Sequence, residues 1–353
     1  MSEIKPRIIA VRPDRIDQKA IHLAVAALRA GSLIILPTET VYGVAADPGV
    51  AGAEDRIYEA KGRERGKPVA LLASSLEAVE RAGAVLSPAA RRLACRYWPG
   101  PLTLLLNCGS RVEGFRVPNH SVALAVLKAA GGLLRVTSAN RSGEASTLTA
   151  DSAVKALDSH IALVLDAGPA DLGLESTVVD ATGEPVKIIR QGALSAAAVF
   201  SRPKVCLVCT GNTCRSPMAE HLLRKWLGSE TGWEVTSAGV AAYEGDQASD
   251  GAIQVMKERK LDLTSHRSRK LNAARIDDAD IIVVMTEAHK RSVLQRFPQV
   301  VGRVFLLNAF SSAHPGEDVP DPFGWSLDVY RSICKEIDAA MPDLVLHLHS
   351  MYQ

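Results

Sequence analysis

Cys209-Thr210-Gly211-Asn212-Thr213-Cys214-Arg215-Ser216 lies between two segments of opposite character. Before it, Val205-Cys206-Leu207-Val208 is short, apolar and β-prone. After it, Pro217-Met218-Ala219-Glu220-His221-Leu222-Leu223-Arg224 carries apolar residues at helical spacing behind a first-turn proline. The order predicts a loop that leaves the carboxyl end of a strand and opens a helix. The first amides of a helix lack internal partners and sit at the positive end of its dipole, so an oxyanion is welcome there. Gly211 lets the loop curl, and Arg215 adds a planar fork of donors. Cys209 lies among those amides and beside the guanidinium, so its thiolate is expected to be stabilised and nucleophilic at neutral pH. Ser216 either donates to that thiolate or caps the helix. Cys206, inside the strand, reads as a small hydrophobe.

CTGNTCRSPMAE resembles the signature loop of the low-molecular-weight protein phosphatases, and the resemblance extends over roughly residues 203 to 345. Thr236-Ser237-Ala238-Gly239 matches a second strand end, Asp280-Ile281-Ile282-Val283-Val284-Met285-Thr286 a third strand, and Asp318-Val319-Pro320-Asp321-Pro322-Phe323-Gly324 the family's late acid loop. The resemblance implies that Cys209 attacks phosphorus while Asp321 protonates the leaving group, after which water assisted by Asp321 releases phosphate from the cysteine. Arg215 and the loop residues Thr210, Gly211, Asn212, Thr213, Cys214 and Ser216 would hold the phosphoryl oxygens. No tightly bound cofactor or metal is implied for this half. It also implies that Cys214 can form a reversible disulfide with the nucleophile. Thr213 is similar to bacterial protein-arginine phosphatases, where phosphotyrosine enzymes commonly carry a bulkier aliphatic residue. Phosphoarginine and phosphotyrosine of phosphorylated proteins both stay open as substrates. Arsenate reduction is disfavoured because it needs a relay of resolving cysteines, and only Cys334 lies downstream.

The whole chain has 353 residues, 47% of them hydrophobic and 23% charged, which suits two soluble α/β domains. A net charge of +2 gives no general pull toward nucleic acid or membrane, and the basic run His266-Arg267-Ser268-Arg269-Lys270 reads as a solvated face. No apolar run is long enough to span a bilayer and no signal-peptide pattern opens the chain, so a cytoplasmic protein is expected. Six unevenly placed cysteines argue against a secreted disulfide framework, and Cys206-x-x-Cys209 has no second pair to complete a zinc site. The best domain boundary falls near Phe200-Ser201-Arg202-Pro203, giving domains 1–200 and 203–353.

The first domain opens with an amphipathic pattern from Ile16 to Ala30, closed by Gly31, and then an apolar strand, Leu33-Ile34-Ile35-Leu36. Pro37-Thr38-Glu39-Thr40-Val41-Tyr42-Gly43 follows directly, bunching polar groups at a strand end where backbone and hydroxyls converge. This block resembles the YrdC-like threonylcarbamoyl-AMP synthase family. Lys61-Gly62-Arg63, Lys67-Pro68, Trp98-Pro99-Gly100-Pro101-Leu102-Thr103, Arg116-Val117-Pro118, Thr137-Ser138-Ala139-Asn140, Glu175-Ser176-Thr177-Val178 and Ile189-Arg190 follow in the family's order, over roughly residues 15 to 195. The resemblance implies that threonine, bicarbonate and ATP are joined into threonylcarbamoyl-AMP with release of pyrophosphate, for tRNA modification. Lys61, Arg63 and Arg190 are cations suited to the triphosphate, with Ser138 and Asn140 as neutral donors. Thr40, Arg116 and Ser176 would contact threonine, Arg116 through its carboxylate. Mg2+ would accompany ATP.

The expected fold is a twisted mixed α/β sheet with a concave ligand surface for the first domain, and a doubly wound, mainly parallel four-stranded sheet for the second. The expected function is bifunctional, synthase and phosphatase. The segment Leu106 to Arg116 is shorter than the family's usual stretch, which motivates an alternative: the first domain is a non-catalytic module binding nucleotide or double-stranded RNA and regulating the phosphatase.

Overall fold

A computed structural model of the protein describes residues 6–157, 160–228 and 232–350, in two compact units covering residues 1–200 and 201–353. The first unit holds β1 (Arg7–Ala10), β2 (Leu33–Leu36), β3 (Gly43–Ala46), β4 (Leu71–Ala73), β5 (Ala84–Val85), β6 (Leu102–Cys108), β7 (Arg111–Arg116), β8 (Leu133–Ser138), β9 (Ile161–Asp166), β10 (Thr177–Asp180) and β11 (Lys187–Arg190). They make one mixed sheet in the order β1-β9-β2-β3-β8-β4-β7-β6-β10-β11, with β5 alongside β6.

Strand β2 shows why its sequence is apolar throughout. Ile34 and Leu36 pack against the helices Gln18–Arg29 and Ser121–Ala129, whereas Leu33 and Ile35 pack against Ala53–Lys61 and Ala150–Leu157. A strand covered on both faces has no position left for a polar residue. The first of those helices starts at Gln18 because the Asp17 carboxylate accepts from the amides of Lys19 and Ala20, two of the orphan donors at a helix start.

The short Leu106–Arg116 segment is a tight hairpin in which Cys108 pairs with Arg111 and Leu106 with Glu113. The turn needs Gly109 at φ +60°, a left-handed conformation that glycine adopts at no steric cost. This hairpin returns the chain to place Arg116 at the end of β7. The antiparallel β10–β11 pair sets Val178 opposite Arg190, and β3–β8 sets Gly43 opposite Ser138. Motifs far apart in the sequence thereby reach one cavity.

In the second unit, β12 (Lys204–Cys209), β13 (Glu234–Gly239), β14 (Ile281–Val284) and β15 (Val304–Leu306) form an all-parallel sheet in the order β13-β12-β14-β15. Val205, Leu207 and Cys209 face the helices Arg215–Leu227, Asp250–Glu258 and Leu327–Ala339. Cys206 and Val208 face Ala273–Asp278 and Glu287–Arg296. This is the doubly wound arrangement expected from the sequence. Strand order reverses at β12, so a crevice opens beyond its carboxyl end, where Cys209 sits.

Two local expectations are corrected here. The helix begins at Arg215, before Pro217, with Cys214 at the cap position making no side-chain cap bond. Ser216 therefore lies within the first turn and is not the cap. The left-handed residue of the loop is Asn212, at φ +55°, and not Gly211. Asparagine tolerates that conformation better than most residues with a side chain.

Candidate active sites

The phosphate loop closes around Cys209. The Ser216 hydroxyl lies 3.0 Å from its Sγ, and the Asn212 amide donates to the same sulfur over 3.3 Å. Asn212 is the strut of the loop. Its Nδ2 donates to the Ser216 and Ser237 hydroxyls at 2.9 and 2.8 Å, its Oδ1 accepts from the Arg269 amide at 2.8 Å, and its carbonyl lies 2.8 Å from His266 Nε2. The loop also rests on Gly239, where an added Cβ would come within 2.4 Å of the Thr210 carbonyl. No other residue type fits that approach.

Arg215 is 4% exposed, and its Nη1 donates to the Val319 carbonyl over 3.1 Å. Its Nη2 reaches Thr210 Oγ1 at 3.3 Å and the Asp321 carboxylate at 2.5 Å. The nucleophile candidate, the guanidinium and the acid candidate thus share one cavity of about 320 Å³, together with Thr210, Gly211, Thr213 and Cys214. Asn212 and Ser216 stand behind it, fully buried. Cys214 Sγ lies 3.1 Å from Ser249 Oγ and 3.4 Å from the Tyr330 hydroxyl. Cys209 and Cys214 are both free thiols.

Burial pushes the Cys209 thiol up, against the downward pull of the Ser216 hydroxyl, Arg215 and the loop amides. The expectation of a stabilised thiolate is corrected to this extent. Sequence shows the donors, but not that Cys209 is 2% exposed or that Asp321 already answers the Arg215 charge. Burial likewise pushes the Cys206 thiol up to about 12, as suits a small hydrophobe within the strand.

His289, which no sequence motif marks, supports the loop from β14's side. Its Nε2 lies 2.9 Å from Thr210 Oγ1 and its Nδ1 lies 2.9 Å from Thr286 Oγ1. Burial, with Arg215 nearby, lowers its pKa from 6.5 to about 4, opposed by Asp321 and Asp318. The imidazole is therefore neutral in the folded state at pH values where the unfolded chain takes up a proton. Its contribution to stability is present above pH 6.5 and is lost as pH falls toward 4. At one pKa unit per 1.36 kcal/mol, and discounted for solvent screening, this loss is on the order of 2 kcal/mol. Urea unfolding of the full chain at pH 7 and pH 4.5 checks it: His289→Gln loses markedly less stability over that interval than the parent, and equal losses would remove His289 as the cause.

In the first unit a cavity of about 370 Å³ is lined by Thr38, Thr40, Arg63, Lys67, Thr103, Arg116, Thr137, Ser138, Glu175, Ser176 and Arg190, among others. Its hydroxyls are linked in pairs, Thr38 to Thr40 at 2.9 Å and Thr103 to Ser176 at 2.8 Å. Arg63 reaches back to the carbonyls of Lys67 and Pro68, at 3.1 Å each, which holds this basic turn against the opening. Arg190 pairs with Glu175 and donates to the Ser176 carbonyl at 3.0 Å. Arg116 and Glu39 form a buried ion pair at 2.8 Å without hydrogen-bond alignment, and Arg116 Nε donates to the Gly100 carbonyl at 3.1 Å.

Of the residues singled out from sequence, Thr40, Arg63, Arg116, Ser138, Ser176 and Arg190 reach this cavity. Lys61 and Asn140 do not line it. Lys61 is 2% exposed and donates to the carbonyls of Ser138 and Asn140, and burial lowers its pKa to about 8. Asn140 Nδ2 donates to the carbonyls of Arg141 and Glu144, at 2.8 Å each. Both hold the loop after β8 from behind. Thr103 and Glu175 also line the cavity, although sequence did not single them out from their quoted motifs, and Glu39 is buried as the ion-pair partner of Arg116; only the tertiary register shows which member of each motif faces the opening.

Among the described residues no helix is long and apolar enough to cross a membrane.

The model of the Sua5, YciO and YrdC family, described as telomere recombination, matches residues 26–192, and that of the low molecular weight phosphotyrosine protein phosphatases matches residues 204–353. A protein-arginine-phosphatase of Geobacillus stearothermophilus is 41% identical over 147 residues, 42% of this chain and 97% of that protein. A putative threonylcarbamoyl-AMP synthase of Mycobacterium tuberculosis is 35% identical over 187 residues, 50% of this chain and 86% of that protein. The chain belongs to both families. It is a threonylcarbamoyl-AMP synthase family domain fused to a low-molecular-weight phosphatase family domain. The chain spans 58% of the length of the Pyrococcus abyssi threonylcarbamoyl-AMP synthase, to which it is 36% identical over 197 residues. A solved structure of Pyrococcus abyssi Sua5 matches 85% of this chain and 99% of its own length, at 25% identity and a TM-score of 0.51.

Proposed function

We propose that the protein is a bifunctional enzyme, hydrolysing protein phosphoarginine or phosphotyrosine in its second unit and forming threonylcarbamoyl-AMP in its first. The observation that carries the phosphatase reading is the convergence of Cys209, Arg215 and Asp321 on one cavity at a strand's carboxyl end. An entering phosphoryl dianion takes over the Arg215 fork and the loop amides, which releases Asp321 from Arg215. Cys209 Sγ attacks phosphorus, the bond from phosphorus to the leaving oxygen or nitrogen breaks, and Asp321 gives that atom its proton. Water, deprotonated by Asp321, then displaces the sulfur and liberates phosphate. The thiolate is the attacking form, so the acid limb of kcat/KM reports the loss of the thiol proton.

For the first unit, the cations Arg63, Lys67 and Arg190 of the cavity suit the triphosphate of ATP, and Thr40, Arg116 and Ser176 suit threonine, with Arg190 and Ser176 in contact where the two substrates would meet. Mg2+ enters with ATP as part of the substrate. Lys61 and Asn140 act by holding the Ser138 loop in place. Bicarbonate supplies the carbamoyl carbon, and pyrophosphate leaves. The family match favours catalysis over a purely RNA- or nucleotide-binding role.

Incubation with ATP, threonine and bicarbonate is expected to release pyrophosphate, and failure to do so would return the first unit to a binding role. Hydrolysis of matched phosphoarginine and phosphotyrosine peptides tests the second unit. Asp321→Asn should lower kcat about a hundredfold or more on a substrate whose leaving group needs a proton. It should cost far less on an activated aryl phosphate, whose phenolate leaves unaided. Equal losses on both would remove Asp321 as the proton donor.

A further inference from the structure

The phosphate cavity contains a second carboxylate that the mechanism above does not use. Asp246 lines its wall, together with Ala241, Ala242 and the ring of Tyr243, while Phe323 lines it from the acid loop. The loop that carries Asp246 is fixed from behind. Its amide donates to Ser268 Oγ at 2.9 Å, its carbonyl accepts from the Ser268 amide at 2.8 Å, and the Ser268 hydroxyl also donates to the Tyr243 carbonyl. Ser268 itself is 1% exposed, so this clamp is part of the core. The neighbouring acids are spoken for: Asp321 binds Arg215, and Glu244 binds Arg275 and the Lys270 amide. Among the described residues the Asp246 carboxylate has no hydrogen-bond or ion-pair partner, and it is exposed to the cavity mouth.

We infer that Asp246 is the specificity-determining residue that selects a cationic leaving group, and hence phosphoarginine over phosphotyrosine. This rests on the phosphatase reading and names the substrate class of that site. A phosphoarginine side chain at neutral pH carries a phosphoryl dianion joined to a guanidinium that keeps its positive charge. A cavity complementary to it needs cationic donors at its base and an anion on its wall, and Arg215 with the loop amides, and Asp246, supply these. The flat cation also suits the exposed faces of Tyr243 and Phe323. A phosphotyrosine ring has no positive charge to offer. For it a carboxylate on the wall repels the incoming dianion and gives nothing back. Thr213, on the same cavity, can offer the guanidinium a hydroxyl oxygen as acceptor but no countercharge, which Asp246 supplies.

The test uses the full chain with two peptides of identical sequence, one bearing phosphoarginine and the other phosphotyrosine. Asp246→Asn keeps the shape and removes the charge. It should lower kcat/KM on the phosphoarginine peptide by about fivefold, the scale of a partly exposed ion pair at its stronger end. Activity on the phosphotyrosine peptide should stay level or rise. Asp246→Glu should recover most of the phosphoarginine activity, and added salt should narrow the parent's preference but not that of Asp246→Asn. Equal changes on both peptides, or an unchanged ratio, would overturn the assignment. A parent protein that hydrolyses phosphotyrosine but no phosphoarginine would also overturn it and leave the phosphatase reading intact. One that hydrolyses neither above the Cys209→Ser background would overturn that reading itself.

Discussion

Cys209→Ser should abolish phosphatase turnover, lowering kcat by ~10³-fold or more, because the step that splits phosphoryl transfer into two easier displacements is lost with the sulfur. A serine hydroxyl at this position still meets Ser216 Oγ and the Asn212 amide, so the loop keeps its geometry. What disappears is a sulfur nucleophile that is far more acidic and more polarisable than an alcohol, since a serine hydroxyl among the same donors stays protonated. The thermal midpoint of the chain should therefore move little, and pyrophosphate release by the first unit should be unchanged. Turnover on either phosphopeptide within about tenfold of the parent would sink the covalent mechanism.

Arg116→Ala should have the largest effect on the first unit. Arg116 and Glu39 are both nearly excluded from water, and the Glu39 carboxylate has no hydrogen-bonded partner among the described residues. Removing one member of a buried pair leaves an uncompensated charge, which costs about 3–5 kcal/mol, a large part of the stability of an ordinary domain. The substitution also deletes the cation proposed to hold the threonine carboxylate. Synthase activity should fall below detection, while the phosphate cavity, built only from residues 209–323, should keep its activity. The double variant Glu39→Gln with Arg116→Met separates the two roles. It should recover a good part of the stability in urea unfolding, because no charge is left stranded, yet still fail to release pyrophosphate. Recovery of threonine-dependent pyrophosphate release would place the threonine carboxylate elsewhere.

The second unit was legible in sequence because its chemistry is local. Eight consecutive residues, a strand before them and a helix after them are enough to define a phosphate socket, since helix-end amides and the residues that follow a strand are fixed by short-range geometry. The first unit's cavity was legible only as a set of motifs in the right order. Neither motif order nor spacing says which member of each motif faces inward. Lys61 and Ser138 stand in equally suggestive motifs, yet Ser138 lines the cavity while Lys61 is spent on backbone carbonyls behind it.

Similar limits apply to charge. From sequence, Arg215 and the loop amides predict a stabilised Cys209 thiolate; in the fold, the same cysteine is buried and Arg215 is shared with Asp321, 106 residues further along the chain. His289 and Asp246 carry no motif at all. Each acquires its position from packing, His289 through Thr210 and Asp246 through Ser268.

Residue order alone is enough for the two families, the socket from Cys209 to Ser216 and the succession of strands and helices around it, because these follow from local propensity, apolar periodicity and the needs of a helix start. The folded chain was needed to establish that β6 and β7 close as a hairpin through Gly109, that Arg116 meets Glu39, and that Asp246 stands on the cavity wall with no cation paired to it among the described residues. Burial and pairing depend on which residues meet across long separations, and those meetings set whether a charge is solvated, answered or left facing a ligand.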